Sequence, residues 1–295
     1  MHKKLLTSIL IINLRTNEFI MRELAIAIPS NILEDCQSLS DKTNKIGIIA
    51  RAASIFKVTK IHVYKNKGSS DIDLISLLLK YLVTPQYLRK NIFPLKQELK
   101  LAGTLPPLRI PSHTVNRKHN RNTVDIRDGL CIKFDKKLNM AILDIGLNKY
   151  GILKSRISVG DVVTVKIISD SFKGKYFLLE KTIPNNYWGY DVINNNSLKE
   201  ILNSNFYDIN IITSKFGNSF HSTSTLISDK IGNNPDSNII VVFGSPKSGL
   251  MTILSREKID KSDLILINLF PDQGVETIRS EEAILAGLSI LNSYF

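Results

Sequence analysis

The chain has 295 residues, of which 43% are hydrophobic and 22% are charged, and its formal net charge at pH 7 is +12. This composition excludes an intrinsically disordered protein, and the length is sufficient for roughly two domains. The two cysteines lie far apart, which excludes a disulfide framework and a cysteine-rich zinc site and is typical of a reduced, cytoplasmic protein. The excess of basic residues is compatible with binding to a polyanion, although a solvated lysine-rich surface would account for it equally well.

The N-terminal segment, residues 1–20, combines two lysines with a short apolar run. It lacks the small-residue cleavage site of a signal peptide, and its apolar run is shorter than the ~20 residues that span a membrane. We interpret it as an N-terminal extension, either disordered or the product of an upstream start, and we expect the protein to stay in the cytoplasm.

Strand and helix patterns alternate after this segment. Strands are predicted at 22–29 and 60–64, and helices at 40–56 and 71–83. In the first helix, Ile48, Ala52 and Ile55 lie on one face at helical spacing. A β-α-β-α order predicts a parallel sheet covered by helices.

The pattern changes after residue 104, where a proline-rich and basic stretch, 104–122, is interpreted as a linker. Five short strands without a helix follow, at 129–134, 141–146, 151–154, 161–169 and 175–181. Short strands separated by polar turns predict a small OB-like β-barrel. The α/β pattern then resumes, with a helix at 197–203, strands at 208–214, 238–244 and 263–269, and a last helix whose apolar stripe comprises Ile284, Leu288, Leu291 and Phe295. We therefore predict one discontinuous α/β domain, 21–104 and 184–295, with a barrel inserted at 105–183.

The predicted insert carries most of the positive charge. Residues 101–184 contain 15 Lys and Arg against 7 Asp and Glu, a net +8 of the chain's +12. Barrels of the OB type bind nucleic acid through a cationic face and stacking aromatic side chains. The aromatic side chains Phe134, Tyr150, Phe172 and Tyr176 suit stacking, but each could equally fill the barrel core. The predicted RNA-binding residues are Arg109, Arg117, Lys118, Arg121, Arg127, Lys133, Lys154 and Arg156.

Three loops, 213–217, 243–250 and 268–275, follow predicted strands of the second α/β half. The carboxyl ends of parallel strands meet at one edge of the sheet, so these loops can form one pocket. In the second loop Lys247 precedes Gly249, whereas a phosphate-binding P-loop needs the lysine after its second glycine. A triphosphate site is therefore not expected.

The third loop suits a different ligand. Gly274 permits close backbone approach and Gln273 adds an amide, a combination that suits a neutral heterocycle such as adenine. The acidic residues Glu276, Glu281 and Glu282 would repel a phosphate but accommodate a sulfonium cation. Acidic residues also favour a first helical turn through the helix dipole, which is an equally good explanation for them.

These motifs, TSKFG at 213–217, GSPKSGL at 244–250 and NLFPDQGVETIRSEEA at 268–283, together resemble the SPOUT (α/β-knot) RNA methyltransferases. The resemblance is to the archaeal and eukaryotic RNA uridine-N3 methyltransferase branch with an OB-like insert, which residues 49–64, 111–130 and 187–192 also match. The resemblance implies a C-terminal trefoil knot, bound S-adenosyl-L-methionine, a homodimer whose active site uses both chains, a ribosomal RNA substrate and no metal. A non-catalytic ribosome-assembly factor that keeps the same fold is the alternative.

The same resemblance implies which residues hold the cofactor. They are Thr213, Ser214 and Gly217 in the first loop, Gly244, Ser245, Pro246 and Gly249 in the second, and Asn268, Leu269, Gln273, Gly274, Val275 and Ile278 in the third.

Three residues are candidates for catalysis. Arg279 would hold the uracil O2 or O4 as negative charge develops there, or it pairs on the helix surface with Glu282 or Glu276. Glu281 continues the apolar stripe of the last helix and is either a base or the partner of a buried cation. Arg51 either reaches the pocket or has a structural partner.

Overall fold

The computed structural model describes residues 22–67, 71–113, 124–171, 175–247 and 249–294. The strands of the α/β part are β1 (Leu24–Pro29), β2 (Lys60–Tyr64), β8 (Asp191–Asn195), β9 (Ile209–Ser219), β10 (Ile239–Val242) and β11 (Leu264–Asn268). Its helices are α1 (Leu39–Ile55), α2 (Ile72–Val83), α3 (Gln86–Ile92), α4 (Leu198–Leu202), α5 (Phe220–Asn233), α6 (Leu250–Arg256) and α7 (Ser280–Leu291). The intervening strands are β3 (Ile126–Asp135), β4 (Met140–Asp144), β5 (Gly151–Leu153), β6 (Val162–Ser171) and β7 (Tyr176–Lys181).

The predicted parallel sheet is confirmed. Its six strands are all parallel and lie in the order β11-β9-β10-β1-β2-β8. Helices α1, α2, α5 and α7 bury apolar side chains against one face, and α4 and α6 cover the other. Because β1 lies between β2 and β10, the two sequence halves share one sheet and one core.

Helix α1 begins where the sequence predicts it, but its apolar stripe is only partly buried. Its start is fixed by Ser38, whose hydroxyl accepts the Asp41 N–H at 3.1 Å while the Asp41 carboxylate accepts the Ser38 N–H at 3.1 Å. Of the apolar stripe in the sequence, Ala52 is fully buried, whereas Ile48 and Ile55 are 42% and 50% exposed. The helix is apolar on more than one side, so its periodicity alone did not decide which side meets the sheet.

The side of α1 that does meet the sheet carries Ile46, Ile49, Ala50 and Ala53, all fully buried. Helices α3, α5 and α6 and strand β8 were not predicted. Helix α5 buries only Thr223, Ile227 and Ile231 along its 14 residues, so it has too few apolar positions to give a helical pattern.

The five short strands close into a barrel, as predicted, in the order β3-β4-β5-β7-β6. Its interior is filled by apolar side chains, among them Leu143, Val165, Phe177 and Leu179. Phe134 also packs against this interior, so it fills the core rather than offering a stacking surface. The barrel strands lie within the predicted insert.

The barrel is fixed to the α/β part through Asp128 of β3. Its carboxylate accepts the indole N–H of Trp188 at 2.7 Å and the hydroxyl of Thr164 at 2.7 Å, and its backbone carbonyl accepts the Tyr87 hydroxyl at 3.0 Å. Burial raises the pKa of Asp128, and the two side-chain bonds oppose that shift. Trp188 therefore acts as a packing and anchoring residue where the chain returns to the sheet.

None of the helices in the described part of the chain has both the length and the apolar character required to cross a membrane.

Stability should fall in mild acid because of His62. Its Nδ1 lies 2.8 Å from Asn195 Oδ1 and its Nε2 lies 2.6 Å from the Tyr207 hydroxyl, and burial lowers its pKa. The unfolded chain takes up this proton at the ordinary histidine pKa of about 6.5 and the folded chain only at lower pH, so protons favour unfolding. We expect the free energy of unfolding, measured by urea denaturation, to fall as the pH drops below about 6.5. His62→Gln should reduce this dependence, and an unchanged dependence would show that other groups cause it.

Candidate functional site

The first predicted cofactor loop lies inside strand β9 as an excursion from the sheet. Ile212 pairs with Leu266 and Asn218 pairs with Ile267, so residues 213–217 have no partners on β11. The prediction that this strand ends at residue 214 was therefore wrong. A Cβ on Gly217 would lie 2.6 Å from the backbone of Ile267, so the chain can return to the ladder here only with glycine.

Thr213 and Ser214 hold this excursion in place. The Thr213 hydroxyl donates to the Val242 carbonyl at 2.9 Å, which ties β9 to the end of β10. The Ser214 hydroxyl accepts the backbone N–H of Phe216 at 3.2 Å, and the Phe216 ring is 76% exposed.

The second loop is held by the connection between β1 and α1. Asn31 Nδ2 donates to the Ser245 hydroxyl at 3.2 Å, and Glu34 Oε1 accepts the backbone N–H of Lys247 at 2.9 Å. Gly244 offers its carbonyl to the Ser280 hydroxyl at 3.5 Å, a long bond that joins this loop to the start of α7. Pro246 is half-buried in the loop, and the loop ends at Gly249, directly before α6.

The third loop is shaped by its own polar side chains. Asn268 accepts the Phe270 N–H at 3.0 Å and donates to the Lys215 carbonyl at 3.1 Å, which joins the first and third loops. The Gln273 amide nitrogen donates to the carbonyls of Val275 at 2.7 Å and Glu276 at 2.9 Å. This nitrogen therefore shapes the loop rather than facing outward as an unused donor.

The other residues predicted in this loop differ in exposure. Leu269 is buried, and a Cβ on Gly287 of α7 would lie 2.9 Å from its Cδ1. Val275 is 58% exposed, whereas Ile278 is half-buried just before α7.

Open space lies beside the backbone at two of the predicted glycines. A Cβ built on Gly249 or Gly274 would meet no atom within 4 Å, and neither residue has a positive φ. Neither the backbone conformation nor the packing of this chain therefore requires glycine at these two positions. Both follow strands that end at the same edge of the sheet, where they leave room for a small ligand to approach the main chain.

Beneath these loops lies a buried ammonium group, that of Lys45 on α1, which is 3% exposed. Its Nζ lies 2.6 and 2.7 Å from the two carboxylate oxygens of Asp35, 3.2 Å from the Ile32 carbonyl and 3.1 Å from Glu281 Oε2. Glu281 Oε2 lacks a hydrogen-bond partner of acceptable geometry within the described chain, so its attraction to Lys45 is mainly electrostatic. Of the two roles left open for Glu281, the structure places it as the partner of a buried cation.

Arg279 is exposed immediately before α7. Its backbone N–H donates to Glu282 Oε2 at 3.0 Å, which caps the helix. Among the residues that the structure describes, the guanidinium has no hydrogen-bond or ion-pair partner. The alternative in which this side chain pairs with Glu276 or Glu282 is therefore not observed, and the cation is available at the edge of the sheet.

Arg51 is not brought to the loops within one chain. It lies twelve residues beyond the start of α1, or about 18 Å along the helix axis, and α1 runs away from the loop edge. Its Nη1 donates to the Leu108 carbonyl at 2.8 Å.

The predicted RNA-binding residues divide into three groups. Lys133, Lys154 and Arg156 are exposed on the barrel, and Arg109 is exposed in the segment that leads to it. Arg127 requires a correction, because it is 1% exposed and its Nε donates to Asp125 at 2.8 Å, so this side chain does not reach the surface. The remaining three, Arg117, Lys118 and Arg121, lie outside the described residues.

Comparison with known proteins gives this site its context. A family model described as "Putative RNA methyltransferase" matches residues 23–291, nearly the whole chain. The chain belongs to this RNA methyltransferase family. Membership in the family implies a methyl donor, and the open space at the glycine-containing loops is compatible with one.

Three curated relatives of this RNA methyltransferase illustrate the similarity. A 28S rRNA (uridine-N(3))-methyltransferase of Drosophila melanogaster is 31% identical over 309 residues, which cover 91% of this chain but only 61% of that protein. The human protein of the same name is 29% identical over 306 residues, covering 91% of this chain and 77% of the relative. An uncharacterized protein of Halobacterium salinarum is 26% identical over 288 residues, covering 90% of this chain and 98% of the relative.

The sequence did not reveal the residues that support the loops of this candidate site from the first β-α unit. Asn31, Glu34, Asp35 and Lys45 all belong to the first β-α unit, far in sequence from the loops that they hold. One signal was present, since Lys45 directly precedes the apolar stretch of α1 that begins with the buried Ile46. A polar residue in that position indicates either a helix surface or a buried ion pair, and sequence alone does not decide between them.

We expect Lys45→Met to lower the free energy of unfolding by about 3–5 kcal/mol, because it leaves two carboxylates facing each other with no cation between them. Lys42 on the same helix is a matched control, since its ion pair with Asp71 at 3.0 Å is more exposed, with side chains 26% and 23% accessible. Lys42→Met should cost about 1 kcal/mol or less. Equal losses for the two variants in chemical denaturation would contradict the view that burial makes the Lys45 cluster essential.

Proposed function

We propose that this enzyme transfers a methyl group from S-adenosyl-L-methionine to a base nitrogen of ribosomal RNA, the N3 of a uridine. The names of the Drosophila and human relatives support the choice of uridine N3. The structural observation that carries the proposal is the guanidinium of Arg279, which has no partner among the described residues and lies four residues after the third loop of an open, glycine-containing edge.

The residues at this edge fit the proposed methyl donor. The main chain of the second and third loops can contact a nucleoside closely at Gly249 and Gly274, where a side chain would otherwise occupy the space. Exposed Glu276 and Glu282 disfavour a phosphate and suit a cation. When bound, S-adenosyl-L-methionine supplies an electrophilic methyl group on a positively charged sulfur.

Arg279 has a defined task in this proposal. A uridine N3 must lose its proton before or during methylation, and the resulting negative charge spreads onto the uracil O2 and O4. A guanidinium at either oxygen stabilises that charge and so lowers the barrier. The Arg279 backbone is held by Glu282, and the buried Lys45–Glu281 pair fixes the first turn of α7 beneath it. The backbone that carries the guanidinium is therefore fixed at the edge of the sheet, and the exposed side chain extends from it.

A second copy of the chain is part of the proposal. Ile48, Arg51 and Ile55 lie three and four residues apart on the outward side of α1, and Leu285 on neighbouring α7 is 39% exposed. Exposed apolar residues on two packed helices support a homodimer interface. Arg51 lies within this stripe, so an interface there carries it towards the partner rather than towards its own loops.

We expect a mixture of inactive Arg51→Ala and Arg279→Ala subunits to recover turnover, because one of the two sites in a mixed dimer then has both arginines. No recovery of turnover would exclude an active site shared in this way.

The trefoil knot is also proposed. After the edge strand β11, the chain passes the ends of β9 and β10, and α7 reaches α1, where Glu281 meets Lys45. Such a path supports threading of the C-terminal segment through an earlier loop. An experimental electron-density map traced through residues 209–291 would decide it.

The test of function is transfer of a labelled methyl group from S-adenosyl-L-methionine to unmodified ribosomal RNA, followed by nucleoside analysis. Label in 3-methyluridine is the expected result. Label in another nucleoside would contradict the base assignment while keeping the reaction class. Absence of both label and cofactor binding would favour a non-catalytic assembly factor.

We expect Gly274→Val to abolish binding of S-adenosyl-L-methionine in calorimetry while the chain remains folded. The Cβ of the new side chain meets no atom within 4 Å, so the valine extends into the open space beside the third loop. Gly103→Val is the control, because a Cβ there also meets nothing within 4 Å and the residue belongs to none of the three loops. If Gly274→Val bound the cofactor normally, the binding site would have to be elsewhere.

We expect Arg279→Ala to retain cofactor affinity and to reduce the turnover rate by on the order of 100-fold, the effect typical of removing one transition-state donor. Cofactor affinity is measured by calorimetry and turnover by methyl transfer under single-turnover conditions. Turnover equal to that of the wild type would remove Arg279 from the mechanism.

A further inference from the structure

A basic cleft opens at the end of α1 that is remote from the three loops. Its volume is ≈ 310 Å³, and three cations line it, Arg51, Lys57 and Arg109. Its other polar lining residues, Ser54, Asn186 and Tyr187, are uncharged, and no carboxylate is among the residues that line it. The cleft therefore presents only positive charge to a ligand.

Both connections between the barrel and the α/β part contribute to this cleft. Residues 108–111 lead towards the barrel, and residues 186–187 lead back from it. Arg51 fixes the first connection through its bond to the Leu108 carbonyl at 2.8 Å, and the buried Tyr187 fixes the second through a bond from its hydroxyl to the Val58 carbonyl at 2.9 Å. A ligand bound here would contact the junction of the two parts.

Two of the cationic residues, Lys57 and Arg109, have a left-handed backbone conformation, which glycine adopts most easily. Lys57 has φ 55° and occupies the position after α1 where a Schellman motif usually has glycine, with Val58 N–H donating to the Ala53 carbonyl at 2.8 Å. Arg109 has φ 54°. A side chain in this left-handed conformation is unfavourable for the fold, so a basic residue at each position calls for another explanation.

The motif alone is not sufficient evidence, because it recurs at the end of α6. Lys258 has φ 51°, and Ile259 N–H donates to the Leu254 carbonyl at 3.0 Å. Lys258 lies across the sheet and does not line the cleft. Lys57 therefore differs from Lys258 because it lines one cleft together with Arg51 and Arg109. Lys258, which has the same backbone conformation, is a matched control.

We propose that this cleft binds a backbone phosphate of the substrate RNA and anchors the RNA between the barrel and the α/β part. The inference rests on RNA being the substrate. Cations that converge without a carboxylate are the usual protein ligands of a phosphodiester, and arginine contributes planar pairs of donors. Lys57 and Arg109 are remote from the loops of their own chain, so we expect them to contribute to RNA affinity and not to the chemical step, whereas Arg51 and Ile55 of the same cleft also border the proposed dimer interface.

The experiment compares Lys57→Gly, Arg109→Gly and the control Lys258→Gly. Glycine suits the backbone at all three positions, so all three variants should remain folded, which thermal denaturation checks. Binding of a ribosomal RNA fragment and of poly(U) is measured by fluorescence anisotropy over a range of salt concentrations. Each cleft variant should bind both RNAs more weakly. The negative slope of log K against log salt should become smaller in magnitude by about 0.7, while Lys258→Gly should leave both the affinity and the slope unchanged.

Steady-state kinetics provide the second measurement. The cleft variants should raise the KM for RNA several-fold with kcat unchanged. If the cleft variants had the same RNA affinity and the same salt slope as the wild type and Lys258→Gly, the inference would be overturned and the proposed function would be left intact. Binding of polyglutamate is measured in the same anisotropy assay, and cleft variants that lose it without losing RNA binding would also overturn the inference, because the cleft would then be a site for an acidic protein. Weakened RNA binding in a protein that never methylates RNA would keep the anchor and refute the proposed reaction.

Discussion

The arrangement of the whole candidate site depends on one buried ammonium group. Lys45 is placed under the loop edge with almost no solvent contact, and a lysine in that environment is stable only with anionic partners. Asp35 and Glu281 provide them from the first β-α connection and from the last helix. A charge interaction thus joins segments that are about 245 residues apart, and Arg279 stands two residues before one of its partners. This cluster therefore fixes the start of α7, and with it the backbone position of Arg279.

The barrel is joined to the α/β part by polar contacts rather than by a shared core. The barrel interior is a separate apolar cluster, and Asp128 receives the Trp188 and Thr164 bonds where the two parts meet. The exposed cations of the barrel, Lys133 and Lys154 among them, thereby keep a fixed direction relative to the sheet. This division suits an enzyme that must hold a large polyanion in one place and carry out a small chemical step in another.

The sequence predicted the parts of this molecule that depend on local pattern. Alternating elements predicted the parallel sheet, five short strands predicted the barrel, and three motifs predicted the loops at one edge. The sequence did not predict the features that depend on contacts with residues distant along the chain. The buried face of α1 is chosen by β1 and not by its own periodicity, and the excursion at 213–217 exists because β11 skips those residues. The exposure of Arg127 depended on Asp125, and the role of Glu281 depended on Lys45, neither of which a linear pattern reveals.

The strand order also has a consequence for how the protein is made. Strand β1 lies between β2 and β10, and about 210 residues separate the end of β1 from the start of β10. At the usual synthesis rate of about 5–20 residues per second, the nascent β1 waits on the order of 10–40 s for its second neighbour. During that time an apolar strand edge is exposed on the ribosome, while the barrel, whose strands all lie between residues 126 and 181, can already fold. The barrel, to which we assign RNA binding, is thus synthesised in full before the sheet that holds the candidate site is complete.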